Sequence, residues 1–407
     1  MDEKTINFGE ITPEQFTFGK DIVLYNRFTG VKLFTTVNTI NDIPHEEIYK
    51  LKLGEVNVEL PSIKKFRVEL TLQCNSDCDY CLVYKNEIPQ IGNSMNMKTA
   101  LKIAKKFNKE VENGSFMIIG GEPFMNREVL EFLVDYVQGN ISVFTNGTLI
   151  DKRIAKLLSK PNITTLVSFD GWEELNFHRK GKDGHPVFQE SIKGYKNLLE
   201  AGAKTGINCL VTDSNVDYML EIIHHFHKNF GAQSFGLSIP HYTKINPFSV
   251  DIEKYTFNMM KIFDYAKKEG IYVDQIAKKL DAIVNEKFRH HACKIVGEQL
   301  TFYPDGTQTL CTKLDTVEKF KGKDLPYFDS KLPLYDKECQ ECSTLLTCGG
   351  GCFWDSHFDV SGKDQRDCYF NRKMLEKILF DIGGHVPKEI IIDNNSLKEV
   401  YKNMLRK

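Results

Sequence analysis

Between residues 64 and 240 the apolar positions alternate between two periods. Short runs rich in β-branched and aromatic residues, bounded by Gly, Asn or Pro, fall at 66–72, 116–120, 141–145, 165–169, 206–211 and 234–239 and predict strands. Between them apolar residues recur at helical spacing. Leu101, Ile103, Ala104 and Phe107 mark 99–109, and Val129, Leu130, Leu133, Val134 and Val137 mark 127–137; 151–158, 188–201 and 217–229 continue the pattern. Such a rhythm implies parallel strands with helices packed outside them. Six units are fewer than the eight of a closed barrel, so the expected fold is α/β, a partial (β/α)6 barrel.

The flanks read differently. Positions 21–38 alternate loosely around Arg27-Phe28-Thr29-Gly30 and predict a small hairpin. After Pro240 the rhythm stops. Helices are expected at 252–270, 273–286, 371–381 and 397–407, with a loop rich in Asp, Lys, Pro and Gly over 312–338. The expected organisation is a small N-terminal extension over 1–63, a core over 64–286, a cysteine-rich domain over 287–375 and a helical tail over 376–407.

Composition narrows the function. With 41% hydrophobic and 27% charged residues the chain is an ordinary globular protein. A formal net charge of −2 argues against nucleic acid as a partner, which requires a basic surface. No apolar run is long enough to span a membrane, and the polar start MDEKTINFGE is no secretion signal, so a cytoplasmic location with no membrane partner is expected. That compartment is reducing, so the 11 cysteines are not read as a disulfide framework. Their placement is informative. Three sit at Cys74, Cys78 and Cys81, one stands alone at Cys209, and seven lie between Cys293 and Cys368.

Cys74, Cys78 and Cys81, spaced Cys-x3-Cys-x2-Cys, follow the first strand directly in the loop 73–84. Three thiolates on one loop can hold three irons of a cubane cluster and leave the fourth iron without a protein ligand. A structural zinc would need a fourth ligand, and none is near in sequence; reduced core cysteines are the other bland reading. The loop sits at the C-terminal end of a strand, where βα folds place their ligands. The next strand ends in Gly120-Gly121-Glu122-Pro123. Glycines there let the backbone approach a ligand, and Glu122 can accept hydrogen bonds from an amine, although a tight turn would use the same residues.

Together the two motifs resemble those of the radical S-adenosylmethionine (SAM) superfamily, over roughly 64–240. The resemblance implies a [4Fe–4S] cluster on Cys74, Cys78 and Cys81 whose unique iron chelates the amino and carboxylate groups of SAM. Gly120, Gly121 and Glu122 match the segment that meets the methionine amine, and Tyr80 matches the aromatic position beside the adenine. Asn146, within Thr145-Asn146-Gly147, and Ser168-Phe169-Asp170-Gly171 with Arg179 downstream look like the family's later strands. Ser168 and Arg179 are candidates for the ribose and carboxylate contacts; a strand-end cap and a surface ion pair are their structural alternatives. The implied chemistry is reductive cleavage of SAM to a 5′-deoxyadenosyl radical that abstracts hydrogen from substrate. It calls for a reducing electron donor of flavodoxin or ferredoxin type, and no catalytic residue is assigned beyond the cluster and SAM site.

The second region reads Cys293-x12-Gly306-x4-Cys311, a gap, Cys339-x2-Cys342-x5-Cys348-x3-Cys352, and Cys368. Two zinc sites would want eight ligands, which His290, His291 and His357 could complete. The spacing instead resembles the SPASM domain, an accessory domain of radical SAM enzymes that often modify peptides or proteins. The resemblance assigns Cys339, Cys342, Cys348 and Cys368 to an outer auxiliary cluster and Cys293, Cys311 and Cys352 to an inner one, making three [4Fe–4S] clusters in all. The inner set is one thiolate short. A substrate thiolate could complete it, since a metal deprotonates and orients a thiol; Glu298, Asp305 or a histidine is the alternative.

An open inner cluster fits the maturases of sactipeptides and ranthipeptides, which join a carbon of a ribosomally made precursor peptide to a cysteine sulfur. Anaerobic sulfatase-maturing enzymes resemble the chain in both cysteine sets, but their pattern has an acidic residue after the Gly-x4-Cys cysteine, where Thr312 and Lys313 stand here. Carbon–carbon crosslinking would need no open iron. A noncatalytic iron–sulfur carrier is the reading from another class, and the Gly-Gly-Glu-Pro turn argues against it. The segment Val23-Leu24-Tyr25-Asn26-Arg27-Phe28-Thr29-Gly30 resembles the start of a small winged-helix precursor-binding domain, with a capping hairpin as the alternative; a peptide could add a strand there. Cys209, Trp172 and Trp354 read as packing residues.

Overall fold

The strand–helix rhythm is realised unit by unit. The computed structural model describes residues 3–36, 40–59, 61–83, 85, 88–243, 247–384 and 394–405. They fall into two units, Pro61–Asp251 with Lys294–Leu325, and Met1–Leu60 with Ile252–Cys293 and Pro326–Lys407.

In the first unit, β1 (Lys65–Glu69), β2 (Ser115–Ile119), β3 (Asn140–Thr145), β4 (Ile163–Ser168), β5 (Lys204–Leu210) and β6 (Ser234–Ser238) are parallel and lie side by side in chain order. Register is set by apolar partners such as Val68 opposite Ile118 and Ile207 opposite Phe235. The connecting helices are α1 (Met97–Glu110), α2 (Arg127–Tyr136), α3 (Lys152–Leu158), α4 (Phe188–Glu200) and α5 (Met219–Phe230). Local chemistry sets their ends. The Asn96 side chain accepts from the Thr99 amide to start α1, Asp151 does the same for α3 through Ile154, and Gly231 closes α5 at φ 68°. Phe66, Phe107 and Phe116 are fully buried between sheet and helix, with the Phe66 and Phe107 rings 5.3 Å apart. This is the partial (β/α)6 arrangement expected from the sequence. Cys209 is fully buried in β5, as a small core residue should be.

One further piece completes the sheet. β7 (Gln299–Phe302) runs parallel to β1 on its outer edge, and β8 (Gln308–Thr309) turns back on it.

The second unit holds an antiparallel meander, Glu14–Phe18, Asp21–Tyr25 and Lys32–Thr36, so the expected hairpin gains a third strand; residues 37 and 38 lie outside the described residues. Glu3–Glu10 pairs with Leu53–Glu59, and His45–Lys52 is the α-helix among the described residues of this N-terminal segment. Helices Ile252–Glu269, Asp274–Val284, Gln365–Gly383 and Asn394–Leu405 pack on one another through Ile262, Leu280, Met374 and Ile378, all buried. Trp354 is buried in this unit, while Trp172 of the first is half-buried against Tyr218 and His225.

The stretch 312–338 is not the bare loop its composition predicts. Short helical turns form at Leu314–Thr316, Glu318–Phe320, Leu325–Asp329 and Pro333–Tyr335, because Val317, Phe320, Phe328 and Leu334, scattered among Asp and Lys, are buried. Among the described residues no helix is long and apolar enough to cross a membrane.

Candidate functional site

The loop after β1 is held at several points before any ligand is considered. The Leu72 amide and the Thr71 hydroxyl both donate to the Asn93 carbonyl, and the Cys81 amide donates to the Cys78 carbonyl, forming the tight turn that carries two of the three thiols. Cys74, Cys78 and Cys81 are close enough to act on one another electrostatically. Burial pushes the Cys74 thiol up to about 11 and the Cys78 thiol up to about 12, so a metal must displace their protons to bind. No disulfide joins any of the eleven cysteines. The three sulfurs do not all lie within 4.8 Å of one another. Three soft thiol donors on one loop suit the three cysteine-held irons of a cubane cluster. Tyr84, at the end of the loop, lies outside the described residues.

The Gly-Gly-Glu-Pro turn after β2 locks onto this loop. The Gly121 amide donates to the Thr71 carbonyl at 2.7 Å and the Glu122 amide to the Gln73 carbonyl at 2.8 Å. A Cβ on Gly120 would stand 2.2 Å from the Thr71 oxygen, and one on Gly121 2.2 Å from the Gln73 oxygen. These glycines also have a structural role. They let the turn press against the chain's own cluster loop. Gly121→Ala is expected to push the loop away, costing about 1–3 kcal/mol and most of the iron at this loop, read by thermal unfolding and iron content after reconstitution.

Glu122 is fully buried. Its Oε1 accepts from the Thr145 hydroxyl at 2.8 Å and the Phe124 amide at 3.2 Å, and its Oε2 from the Asn146 amide at 2.8 Å. Burial nevertheless pushes its carboxyl up to about 7. Asn146 continues the chain of contacts. Its Nδ2 reaches Asn75 Oδ1 at 2.9 Å, Ser76 Oγ at 3.0 Å and Cys74 Sγ at 4.0 Å, while Thr148 Oγ1 accepts from Asn75 Nδ2 at 2.8 Å. The ends of β1, β2 and β3 are thus tied into one polar network around Cys74.

A second network holds the Cys78 side. The Tyr80 hydroxyl donates to Asp170 Oδ2, and the Arg179 guanidinium donates to Asp170 Oδ1 at 3.0 Å and stands 5.4 Å from the Tyr80 ring centroid. Arg179 is buried, so its ion pair is internal and not at the surface. His178 bridges Asp79 at 2.9 Å and Ser214 at 3.1 Å, and Lys180 reaches Asp79 at 2.8 Å. Ser168 is half-buried at the end of β4 and makes no side-chain hydrogen bond among the described residues, so it is not a strand-end cap. Asp170 is the hub that sequence reasoning passed over. Its signal was available, an acid two residues beyond a strand end.

The second cysteine region divides between the units. Cys339, Cys342, Cys348 and Cys368 lie together in the second unit, where Cys339 interacts with Cys342, Cys342 with Cys368, and Cys368 with Cys348. Asp336 caps the turn at Cys339 by accepting from its amide at 3.0 Å, and the Gly350 amide donates to Cys348 Sγ at 3.4 Å. Cys293 and Cys352 belong to the same unit, and Cys311, just past β8, belongs to the first. Of the proposed non-cysteine ligands, Glu298 pairs with Lys294, and Asp305 accepts from the amide and hydroxyl of Thr307 in its own turn. His290 stands 3.8 Å from Asp329, and Lys313, where sulfatase-maturing enzymes carry an acid, contacts His241.

Residues 68–226 match the Radical SAM superfamily. That segment is a radical SAM domain. The chain is 24% identical over 375 residues to the radical SAM cyclopropyl synthase TigE of Paramaledivibacter caminithermalis, covering 82% of this chain and 75% of that one. It is 29% identical over 322 residues to a cysteine-type anaerobic sulfatase-maturating enzyme of Clostridium novyi, covering 69% of this chain and 84% of the other. The fold superimposes on native anSMEcpe with bound AdoMet and Cp18Cys peptide at a TM-score of 0.64 with 19% identity, over 80% of this chain and all of that one. The chain is therefore similar to radical SAM enzymes, among them a cyclopropyl synthase and a sulfatase-maturating enzyme, and its radical SAM domain implies SAM and a [4Fe–4S] cluster.

Proposed function

We propose that this radical SAM enzyme modifies a ribosomally made precursor peptide in the cytoplasm, forming thioether crosslinks between a cysteine sulfur and a substrate carbon. When bound, the cluster and SAM supply the hydrogen-abstracting radical. Cys74, Cys78 and Cys81 would hold the cluster, Gly120, Gly121 and Glu122 would meet the methionine amine, and Tyr80, Asn146, Ser168 and Arg179 would line the rest of the SAM site. The core over 64–286 would carry this site, and a SPASM domain over 287–375 would carry two auxiliary clusters, one on Cys339, Cys342, Cys348 and Cys368 and one on Cys293, Cys311 and Cys352. The extension over 1–63 would meet the precursor and 376–407 would be a helical tail. A flavodoxin- or ferredoxin-type donor would supply electrons.

The observation that carries the thioether reading is the inner set of three thiolates. No eighth cysteine stands between Cys293 and Cys311, and Glu298 and Asp305 already have partners. A substrate thiolate would complete the set as a soft ligand, with a histidine as the alternative. The linkage removes two hydrogens, one as an atom from carbon and one as the thiol proton, and leaves one electron to be accepted. A coexpressed precursor should lose two hydrogens and one free thiol per linkage by mass spectrometry. Loss of the hydrogens with the thiol count unchanged would establish carbon–carbon linkage instead, the second reading, which the similarity to a cyclopropyl synthase favours.

A further inference from the structure

The second unit buries a lysine that makes no direct ion pair among the described residues. Lys279 lies on the helix Asp274–Val284 and is 5% exposed. Among the described residues it forms no ion pair, and its Nζ donates to one acceptor, Asn371 Oδ1. Its ammonium also stands 4.9 Å from the Phe370 ring centroid. Taking an ammonium out of water costs several kcal/mol unless an anion is close. Burial lowers its pKa to about 8, still above neutral pH, with Asp367 and Cys348 acting to keep the proton on. Asp367 acts on this charge without a direct ion pair, and the one hydrogen bond that Lys279 makes leads towards a thiol.

The amide that receives Lys279 points to that thiol. Asn371 is fully buried, and its Nδ2 donates to the Asp367 carbonyl at 2.7 Å and lies 3.7 Å from Cys348 Sγ. The relay therefore runs from a buried cation through a fixed amide to one of the four thiols of the outer set. Four thiolates around an iron–sulfur cluster carry net negative charge, and reduction adds one more. A fixed cation and an N–H donor to sulfur both favour the more negative, reduced state.

We propose that Lys279, acting through Asn371, is the positioning residue that balances the charge of the outer auxiliary cluster and raises its reduction potential. This rests on the assignment of Cys339, Cys342, Cys348 and Cys368 to that cluster.

The test is a potentiometric titration of the anaerobically reconstituted full chain, followed by electron paramagnetic resonance, in the unsubstituted protein, Lys279→Met and Lys279→Arg. Met keeps the buried stem and removes the charge; Arg keeps the charge. At equal iron content, one couple in Lys279→Met should fall by at least tenfold in its reduction equilibrium, about 59 mV for one electron. The other couples should stay, and Lys279→Arg should remain near the unsubstituted value. Selective loss of iron from Lys279→Met with retention in Lys279→Arg also supports the charge role. Unmoved couples at full iron, or equal effects of Met and Arg, overturn it. The cluster assignment has its own control: if Cys339→Ala leaves the iron content of the otherwise unsubstituted chain intact, the assignment itself fails, and the proposal with it.

Discussion

Replacing Cys74, Cys78 and Cys81 together by Ala is expected to abolish 5′-deoxyadenosine formation with SAM and dithionite, and to remove one cluster's iron from the reconstituted protein. The physical reason is the donor set. These three thiols, each half-buried, share a loop pinned to the β2 and β3 turns, with Asn146 and Ser76 beside Cys74 and Arg179 acting on Cys78. No histidine or carboxylate completes a compact group with them among the described residues. Loss of one thiolate already leaves two irons without a protein ligand, so each single Ala variant should lose at least a hundredfold in product. Cys209→Ala is the control. That thiol is buried in β5 and should cost roughly 1 kcal/mol of stability without changing product. Product formation by any of the three single variants at the unsubstituted rate would show that the cluster lies elsewhere.

The parts of the fold legible in the sequence were those with a short-range signal. Six parallel strands and five helices follow from the switch between periods, with ends displaced by a residue or two where Asn96 and Asp151 cap. β7 escaped because its partner β1 lies far earlier in the chain and the four residues Gln299–Phe302 are too few to show a period. The turns in 312–338 escaped because isolated apolar residues among charges read as loop until tertiary burial is known. At the site, the cysteine and glycine spacings were visible, but the work of Gly120 and Gly121 was not. Whether a missing side chain makes room for a ligand or for the chain's own carbonyl depends on where Thr71 and Gln73 lie. Likewise Lys279 reads in sequence as one of many surface lysines, and only packing brings it to Asn371 beside Cys348.

Glu122 carries the second large effect, with a pH dependence of determined sign. Its carboxyl is raised from an ordinary 4.5 to about 7, chiefly by burial, against the opposing pull of the Asn146 amide, the Thr145 hydroxyl and the Phe124 amide. A raised carboxyl binds its proton more tightly in the folded than in the unfolded chain. Its contribution to stability is therefore fully present below about 4.5 and lost as pH rises through about 7. Ligand binding runs the other way. An ammonium is accepted by the ionised form, so SAM affinity should rise as pH passes from 6 to 8, by up to about tenfold per unit on the acid side. Glu122→Gln cannot ionise and turns an N–H toward donors that now meet oxygen. It should bind SAM about 10- to 100-fold more weakly at pH 8, the range of a lost charged hydrogen bond. The amine of SAM titrates in the same window in both proteins, so the decisive quantity is the ratio of their dissociation constants, measured by calorimetry on reconstituted protein. A ratio that grows from pH 6 to pH 8 places the titrating group at Glu122. A ratio constant across that window would remove Glu122 from the amine contact and leave it the role the apo geometry already shows, tying β2 to the turn after β3.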